Sequence, residues 1–539
     1  MTDPAQIDTT SLLTILSVIA AVWALISPTN RLRLRFCMTW WDWVIGGVIF
    51  LLIHYLVFAP ALTKLGLYYS FGPWKWGLDS SSAVYLLLLS GAIYYFLRTR
   101  SPSLARGKVH IFLKLIDNLH LTKRYDELVL LVEPQLPKLI SMTKQQSLLV
   151  RLINHLNRPA NDIAALLRGD MPKAQPVWQQ RLNPLLQYLK SCRLTRDMDS
   201  LQAREALLNL VTSPDLTNHL ALAHPHFCLK LLKADEVIRS DFIENYIDAL
   251  LDAPGSRLYV ELKNNKNLNG GSRLQLPENN RLLRFFFANA DSANKNGLDN
   301  AIGEAVLRRL GEDKKLTERM NEPLGSYYET GSLRCPINSG ITLFEIMVHE
   351  GIHQGLQDHL GLHFFGLFSK KILKQMSKSP DEETHLEWPT PFHYLLYRLI
   401  SIATDWAEQC LLIDDSEIPK ATYIADGFDR DYISKEATKV LGTMLEYVIP
   451  SEKVSISFKT YLLDVVIRSY IKLESDPYLA DVASSCKTAV ITGKDFPTKA
   501  TYRIELRNIF RKIDHKVRHD ASKFEQALEK SLATCPKRI

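Results

Sequence analysis

The residues of this chain best suited to chemistry lie together in the segment His349-Glu350-Gly351-Ile352-His353. Residues four apart on a helix lie on the same face, so the two imidazoles could bind one metal ion, with the glutamate accepting a proton from metal-bound water. The residues just upstream predict that this helix is buried, because most are apolar: Ile341, Leu343, Phe344, Ile346, Met347 and Val348. Buried histidines and carboxylates are costly unless they are paired or bind a metal. The pattern therefore favours a zinc site; the alternative is a core helix whose histidines hydrogen-bond to their neighbours.

The motif resembles that of the zincin metallopeptidases, and the resemblance covers only residues 349–353. It implies that His349 and His353 are zinc ligands and that Glu350 is the catalytic general base. It also implies that the reaction is hydrolysis of peptide bonds with Zn²⁺ as the cofactor.

A hydrolytic zinc site needs a third protein ligand and leaves the fourth position to water. Gluzincins are similar in taking a glutamate from a downstream helix, and Glu408 lies at a comparable distance in this sequence. The aspartate that usually follows four residues later is absent, since position 412 is Leu. Asp405 lies one turn before Glu408 and could be the ligand itself or orient a ligand histidine. We expect Glu408 to be the third ligand, ahead of Asp405; an ordinary exposed helix face is the alternative for both.

His359 is the remaining candidate ligand, because it follows His353 by six residues, as in the metzincin pattern. That pattern has a glycine three residues after the second histidine, whereas here that position is Leu356 and the glycine is Gly355. If the helix instead continues to Gly361, His359 would lie roughly 9 Å along the axis from His353, at ~1.5 Å per residue. It would then be too distant to share the metal ion.

Three apolar stretches near the N-terminus predict transmembrane helices: Ser11 to Ile26, Val44 to Ala61 and Ala83 to Leu97. Each is near the lower end of the length that spans a bilayer, and aromatic residues cluster at their edges. The chain begins without the basic segment of a signal peptide, so we expect the first stretch to be retained. Basic residues follow the first and third stretches: Arg31, Arg33, Arg35, Arg98, Arg100, Arg106 and Lys108. The positive-inside rule therefore predicts an inner-membrane protein with its N-terminus outside and residues 98–539 in the cytoplasm.

The cysteines agree with a cytoplasmic location, and the charge bears on possible partners. Seven scattered cysteines without a Cys-x-x-Cys pair predict free thiols in a reducing compartment. The net charge of +7 is mild, and acidic residues interrupt the basic C-terminal segment 502–532, so we expect no nucleic-acid partner.

The sequence predicts a mostly α fold with a small α+β part. Residues 1–100 would form a three-helix transmembrane anchor, and 101–252 a helical, solenoid-like scaffold that could bind a protein partner. A zincin-like domain at 253–415 would contain strands at Arg257 to Leu262, Arg281 to Ala288 and Tyr327 to Leu333. Residues 416–539 would again be helical.

Together these features predict a membrane-anchored zinc metallopeptidase acting on a cytoplasmic or membrane protein. The alternative is a non-enzymatic membrane sensor or effector, of the stress or phage-defence type, that acts through its transmembrane helices.

Overall fold

The structure is a computed structural model that describes residues 28–67, 80–100, 104, 106–144, 198–232, 240–264, 276–377, 388–414, 416, 418, 427–493 and 500–533. Throughout these ranges the backbone forms helices and turns and contains no strand. The chain divides into two compact units, residues 1–216 with 234–237 and residues 217–233 with 238–539. The predicted mostly α fold is thereby confirmed for the described residues, whereas the four-part domain division stays a prediction.

The helices of the first unit are α1 (Pro28–Cys37), α2 (Trp40–Val57), α3 (Ala59–Lys64), α4 (Ser80–Arg100), α5 (Val109–Leu121), α6 (Tyr125–Val132), α7 (Leu136–Lys144) and α8 (Met198–Val211). Helices α2 and α4 form an antiparallel hairpin, because Asp42 near the start of α2 meets Arg98 near the end of α4. Tyr94 also donates a hydrogen bond to the Asp42 carboxylate at 2.6 Å, so the buried acid is bound from two turns of α4. Helix α1 packs on α5, where the rings of Phe36 and Phe112 lie 5.2 Å apart.

By length and composition, α2 is long and apolar enough to cross a membrane. Helix α4 carries a shorter apolar segment, Ala83–Arg98. The first predicted span, Ser11 to Ile26, lies outside the described residues. A helix is thus present at the second and third predicted spans, and the three-span anchor stays a prediction.

The second unit contains α9 (Pro214–Ala223) at its start, then α10 (Pro225–Leu232), α11 (Ser240–Asp252), α12 (Arg257–Asn264), α13 (Arg281–Phe287), α14 (Ala290–Lys295), α15 (Leu298–Glu312), α16 (Lys314–Met320), α17 (Pro336–His353), α18 (His363–Gln375), α19 (Pro391–Glu408), α20 (Tyr432–Val448), α21 (Ile456–Ser475), α22 (Ala480–Thr492), α23 (Ala500–Phe510), α24 (His515–Asp520) and α25 (Ser522–Ala533). Residues Tyr327–Gly331 form a single π-helical turn. Most of the apolar residues of α17, α19 and α20 are buried, so these helices form the core of the unit.

The α+β part of the prediction is wrong, because all three expected strands are helical. Short apolar runs fit a buried helix as well as a strand, and here the tertiary contacts decide. Glu261 of α12 is fully buried, and its carboxylate accepts hydrogen bonds from the backbone N–H groups of Leu282 and Leu283 at 2.9 and 3.1 Å. These N–H groups belong to the first turn of α13 and have no partner within the helix. The glutamate of one predicted strand therefore caps the helix formed by the next.

Helices α17, α19 and α21 run parallel to one another. Arg398 of α19 contacts the first half of α17, and Gln409, just after α19, reaches His353 at the end of α17. Between α19 and α21, Tyr397 contacts Tyr461 and Glu408 contacts Lys472. The two contacts are eleven residues apart on each helix and follow the same order, so these helices are parallel as well. Because parallel neighbours need a return connection, α18 lies between the first two helices in the sequence and α20 between the second and third.

Candidate functional site

The His-Glu-x-x-His motif occupies the last turn and a half of α17. The helix begins with Pro336 in its first turn, where a missing N–H costs nothing, and ends at His353. Gly355 then adopts the left-handed conformation, and the N–H groups of Gly355 and Leu356 bind the carbonyls of Ile352 and Gly351. This is the Schellman arrangement, which ends a helix and satisfies its last carbonyls. The motif is therefore held at a sharply defined helix end.

The two histidines of the motif lie side by side. His349 and His353 are 9% and 2% exposed, and their ring centroids are 4.7 Å apart. Gly351, between them in sequence, packs closely on the following loop, because a Cβ atom there would lie 2.2 Å from Leu360 Cδ1 and that side chain would have to move. Close packing of the loop after the helix thus covers one side of the motif.

Glu350 is 2% exposed, and a glutamine orients its carboxylate. The Gln354 amide donates to Glu350 Oε2 at 3.2 Å, and its oxygen accepts the N–H of Ala290 at 3.0 Å. Gln354 therefore connects the proposed general base to the start of α14. The sequence contained a signal for this contact, since Glu350 and Gln354 are four residues apart.

The downstream helix brings Gln409, rather than Glu408, to the motif. Gln409 is buried, and its amide oxygen lies 3.4 Å from His353 Nε2. The Glu408 carboxylate instead accepts a hydrogen bond from Lys472 Nζ at 3.1 Å. Glu408 thus already binds a cation at the end of α19 nearest to His353.

Asp405 lies one turn earlier on α19, beside two other acids. The residue is exposed, although neighbouring protein atoms partly desolvate its carboxylate. This desolvation, together with the charges of Glu408 and Glu345, raises the pKa of Asp405 to about 7, against the opposing effect of Lys472. Burial also raises the pKa of Glu345, although the guanidinium of Arg398 acts in the other direction.

His359 lies apart from the motif. Its Nδ1 accepts the N–H of Gly361 at 3.1 Å, and its ring centroid lies 5.6 Å from that of His363. The Asp358 carboxylate lies 3.9 Å from the same nitrogen. The alternative in which the helix continues to Gly361 is wrong, because Gly355 ends it six residues earlier.

The donor set fits a metal ion in part. Two neighbouring imidazoles at the end of a buried helix match two positions of a tetrahedral zinc site. Among the described residues of the second unit, no three His, Cys, Asp or Glu side chains place their ligand atoms within 4.8 Å of one another. The structure therefore brings His349, Glu350 and His353 together and leaves the third ligand a prediction.

Comparison with known proteins adds no relative: no protein-family model, no curated protein and no solved structure matches the chain.

Proposed function

We propose that the protein is a membrane-anchored zinc metallopeptidase. The observation that supports this function best is the pair of buried imidazoles, His349 and His353, with ring centroids 4.7 Å apart and the buried Glu350 beside them. Placing two histidines and a carboxylate together in the interior is costly unless they are paired or bind a metal, and such groups are frequent at functional sites. Hydrolysis at a zinc ion is a task that needs these three groups at this spacing.

In this proposal His349 and His353 hold the ion, and a carboxylate of α19 completes the site. Glu408 is the first candidate, because it directly precedes Gln409, whose amide reaches His353. Asp405 is the second candidate ligand; it lies one turn before Glu408, near Glu345 of α17. The exposed His359 is the third.

Zinc, when bound, polarises the scissile carbonyl and lowers the pKa of the attacking water. Glu350 takes a proton from that water at a carboxylate oxygen and transfers it to the nitrogen of the leaving amine. The hydrogen bond from Gln354 holds the Glu350 carboxylate in place during both transfers. Low exposure of all three motif residues keeps bulk water away from these steps.

The membrane part of the proposal rests on the hairpin of α2 and α4. Exposed apolar and aromatic side chains cover α2, with Trp40, Trp41 and Trp43 between 57% and 70% exposed. Such residues are unfavourable in water and typical of a membrane interface. Arg98 lies at the end of the hairpin where α4 ends, and both it and Arg33 of α1 lie near Cys37, which would place this end at the cytoplasmic face.

The experiment that tests the proposal is the metal content of the purified full-length protein in detergent. We expect about one zinc per chain in the unchanged protein and in the His359→Ala variant, and loss of zinc in His353→Ala. Glu350→Gln should retain zinc and fold but lose hydrolysis of its substrate. Absence of zinc from a folded protein, even after zinc is supplied, would contradict the proposal. A biological effect that persists in Glu350→Gln would instead assign the function to the membrane helices.

A further inference from the structure

A line of accessible residues crosses the otherwise buried helix α19 and leads to the motif. The line begins with the adjacent pair Tyr397 and Arg398 and continues at intervals of three or four residues, as one helix face requires, with Ser401, Asp405 and Glu408. We call this line the α19 seam. Helix α17 borders it on one side with Thr342 and Glu345, and helix α21 on the other with Tyr461 and Lys472.

Aromatic rings surround the end of the seam farther from the motif. Tyr397 stacks on Tyr461 with centroids 5.6 Å apart, and Trp388 lies 5.1 Å from Tyr397 and 5.3 Å from Tyr328. None of these four rings is fully buried, and Tyr328 is 53% exposed. We call these four residues the aromatic surface. Ring faces and edges that remain accessible are suited to contact another aromatic side chain.

Two acidic side chains along the seam form ion pairs with basic residues, whereas a third acidic side chain does not. Arg398 binds Glu345, and Lys472 binds Glu408. Between these two ion pairs lies Asp405, and among the described residues no basic side chain is within 4.0 Å of its carboxylate. Asp405 is exposed, and a basic side chain brought beside it would supply the missing ion-pair partner and favour the charged form of this carboxyl group.

We propose that the α19 seam binds an extended peptide segment of the substrate, with an aromatic side chain on the aromatic surface and a lysine or arginine side chain at Asp405. This inference rests on the proposed peptidase function with Glu408 as the third zinc ligand, which leaves Asp405 to the substrate, and it specifies the substrate class. Asp405 lies eight residues after Tyr397, which is roughly 12 Å along a helix. An extended peptide covers that distance in about three to four residues at ~3.3 Å each.

The position of the seam also predicts where cleavage occurs. Asp405 lies one turn before Gln409, which touches His353, whereas Tyr397 lies three turns before it. The basic residue of the substrate is therefore close to the scissile bond, and the aromatic residue three to four positions farther away. Asp405 and Tyr397 act as specificity-determining residues, because they select the segment that reaches the motif.

Peptide binding to the full-length Glu350→Gln protein in detergent tests this inference without requiring hydrolysis. The probes are fluorescein-labelled peptides of serine and alanine that carry one tryptophan and one arginine, and fluorescence anisotropy gives the Kd. The reference peptide has three residues between tryptophan and arginine. The three comparison peptides have tryptophan and arginine adjacent, arginine replaced by glutamate, or tryptophan replaced by serine. We expect the reference peptide to bind about tenfold more tightly than each of the three.

Seam variants, made in the same Glu350→Gln background, provide the second comparison. Asp405→Asn should remove the preference for arginine over glutamate, and Tyr397→Ala should remove the preference for tryptophan over serine. Tyr478→Ala is the matched control, since Tyr478 is 92% exposed and takes no part in the seam.

Equal affinity for all four peptides, no binding up to millimolar concentration, or unchanged preferences in Asp405→Asn and Tyr397→Ala would each overturn the inference. The proposed function is tested separately, by the zinc content of the protein and the hydrolysis that Glu350→Gln should remove.

Discussion

Replacing Arg398 by glutamine should separate the motif helix α17 from α19. The guanidinium donates to Asn338 Oδ1 at 2.7 Å and to Thr342 Oγ1 at 3.1 Å, and it forms an ion pair with Glu345. These contacts span two turns of α17, so one side chain fixes the register of the two helices.

The expected cost follows from the burial of the pair. Removing one partner of a fully buried ion pair costs about 3–5 kcal/mol, whereas an exposed pair contributes about 0–1 kcal/mol. The side chains of Arg398 and Glu345 are 18% and 22% exposed, which lies between these limits. We therefore expect Arg398→Gln to lower the free energy of unfolding by about 2–3 kcal/mol, and the Tm of this unit by about 4–10 °C.

Differential scanning fluorimetry of the full-length protein at pH 7.5 measures this change. Glu345→Gln alone should lower the free energy of unfolding by less, because the amide oxygen can still accept a hydrogen bond from the guanidinium. The loss in the double variant should be smaller than the sum of the two single losses by about 1–2 kcal/mol. A Tm shift below about 1 °C for Arg398→Gln, or strictly additive effects in the double variant, would refute the view that Arg398 fixes the two helices.

Three further changes test the packing of the second unit by thermal unfolding. Glu261→Ala should lower the free energy of unfolding by about 3–5 kcal/mol, because two N–H groups of α13 lose their buried acceptor, and Glu261→Gln should restore part of this loss. Equal Tm values for the unchanged protein and these two variants would contradict the capping role. Gly442→Ala should cost about 2–3 kcal/mol, because a Cβ atom would lie 2.2 Å from the carbonyl oxygen of Ala489, whereas Gly255→Ala, with nothing within 4 Å, should show no such loss. Burial lowers the pKa of His393 from 6.5 to about 4, so as the pH falls the unfolded chain takes up a proton before the folded protein does. The free energy of unfolding is therefore unaffected by this group above pH 6.5 and decreases as the pH falls from 6.5 towards 4. His393→Phe should therefore reduce the fall in stability between pH 7 and pH 4 by about 3 kcal/mol, and an unchanged pH profile would show that this histidine is not kept neutral.

The core helix of the site is predictable from the sequence, whereas the partners of its polar residues are not. The apolar run before His349 indicates a buried helix, and α17 confirms it. Gly355 is visible in the sequence as a helix terminator, but choosing it over Gly361 required the hydrogen bonds of the Schellman turn. Gln409 reaches His353 only because α17 and α19 run parallel, and such pairing between distant segments leaves no periodic signal in either one.

The wrongly predicted strands illustrate the same limit. Residues 257–262 alternate between polar and apolar types, which fits a strand, but Arg257 and Glu261 are also four apart and form an ion pair along a helix. A run of six residues fits both periods, and the capping contact of Glu261 with α13 favours the helix. Local pattern thus identified Arg281 to Ala288 as a largely buried segment without establishing its backbone conformation.

The common direction of α17 and α19 has an electrostatic consequence for the proposed catalytic cycle. Both helices end close together, at His353 and Glu408, so the negative ends of their aligned peptide dipoles face the same region. The Schellman turn satisfies part of the α17 terminus, and the remaining field still favours a cation over an anion there. Peptide hydrolysis creates a new carboxylate at this place, and we expect the field to disfavour its retention. The helix ends would then promote release of the acidic product as well as retention of the metal ion.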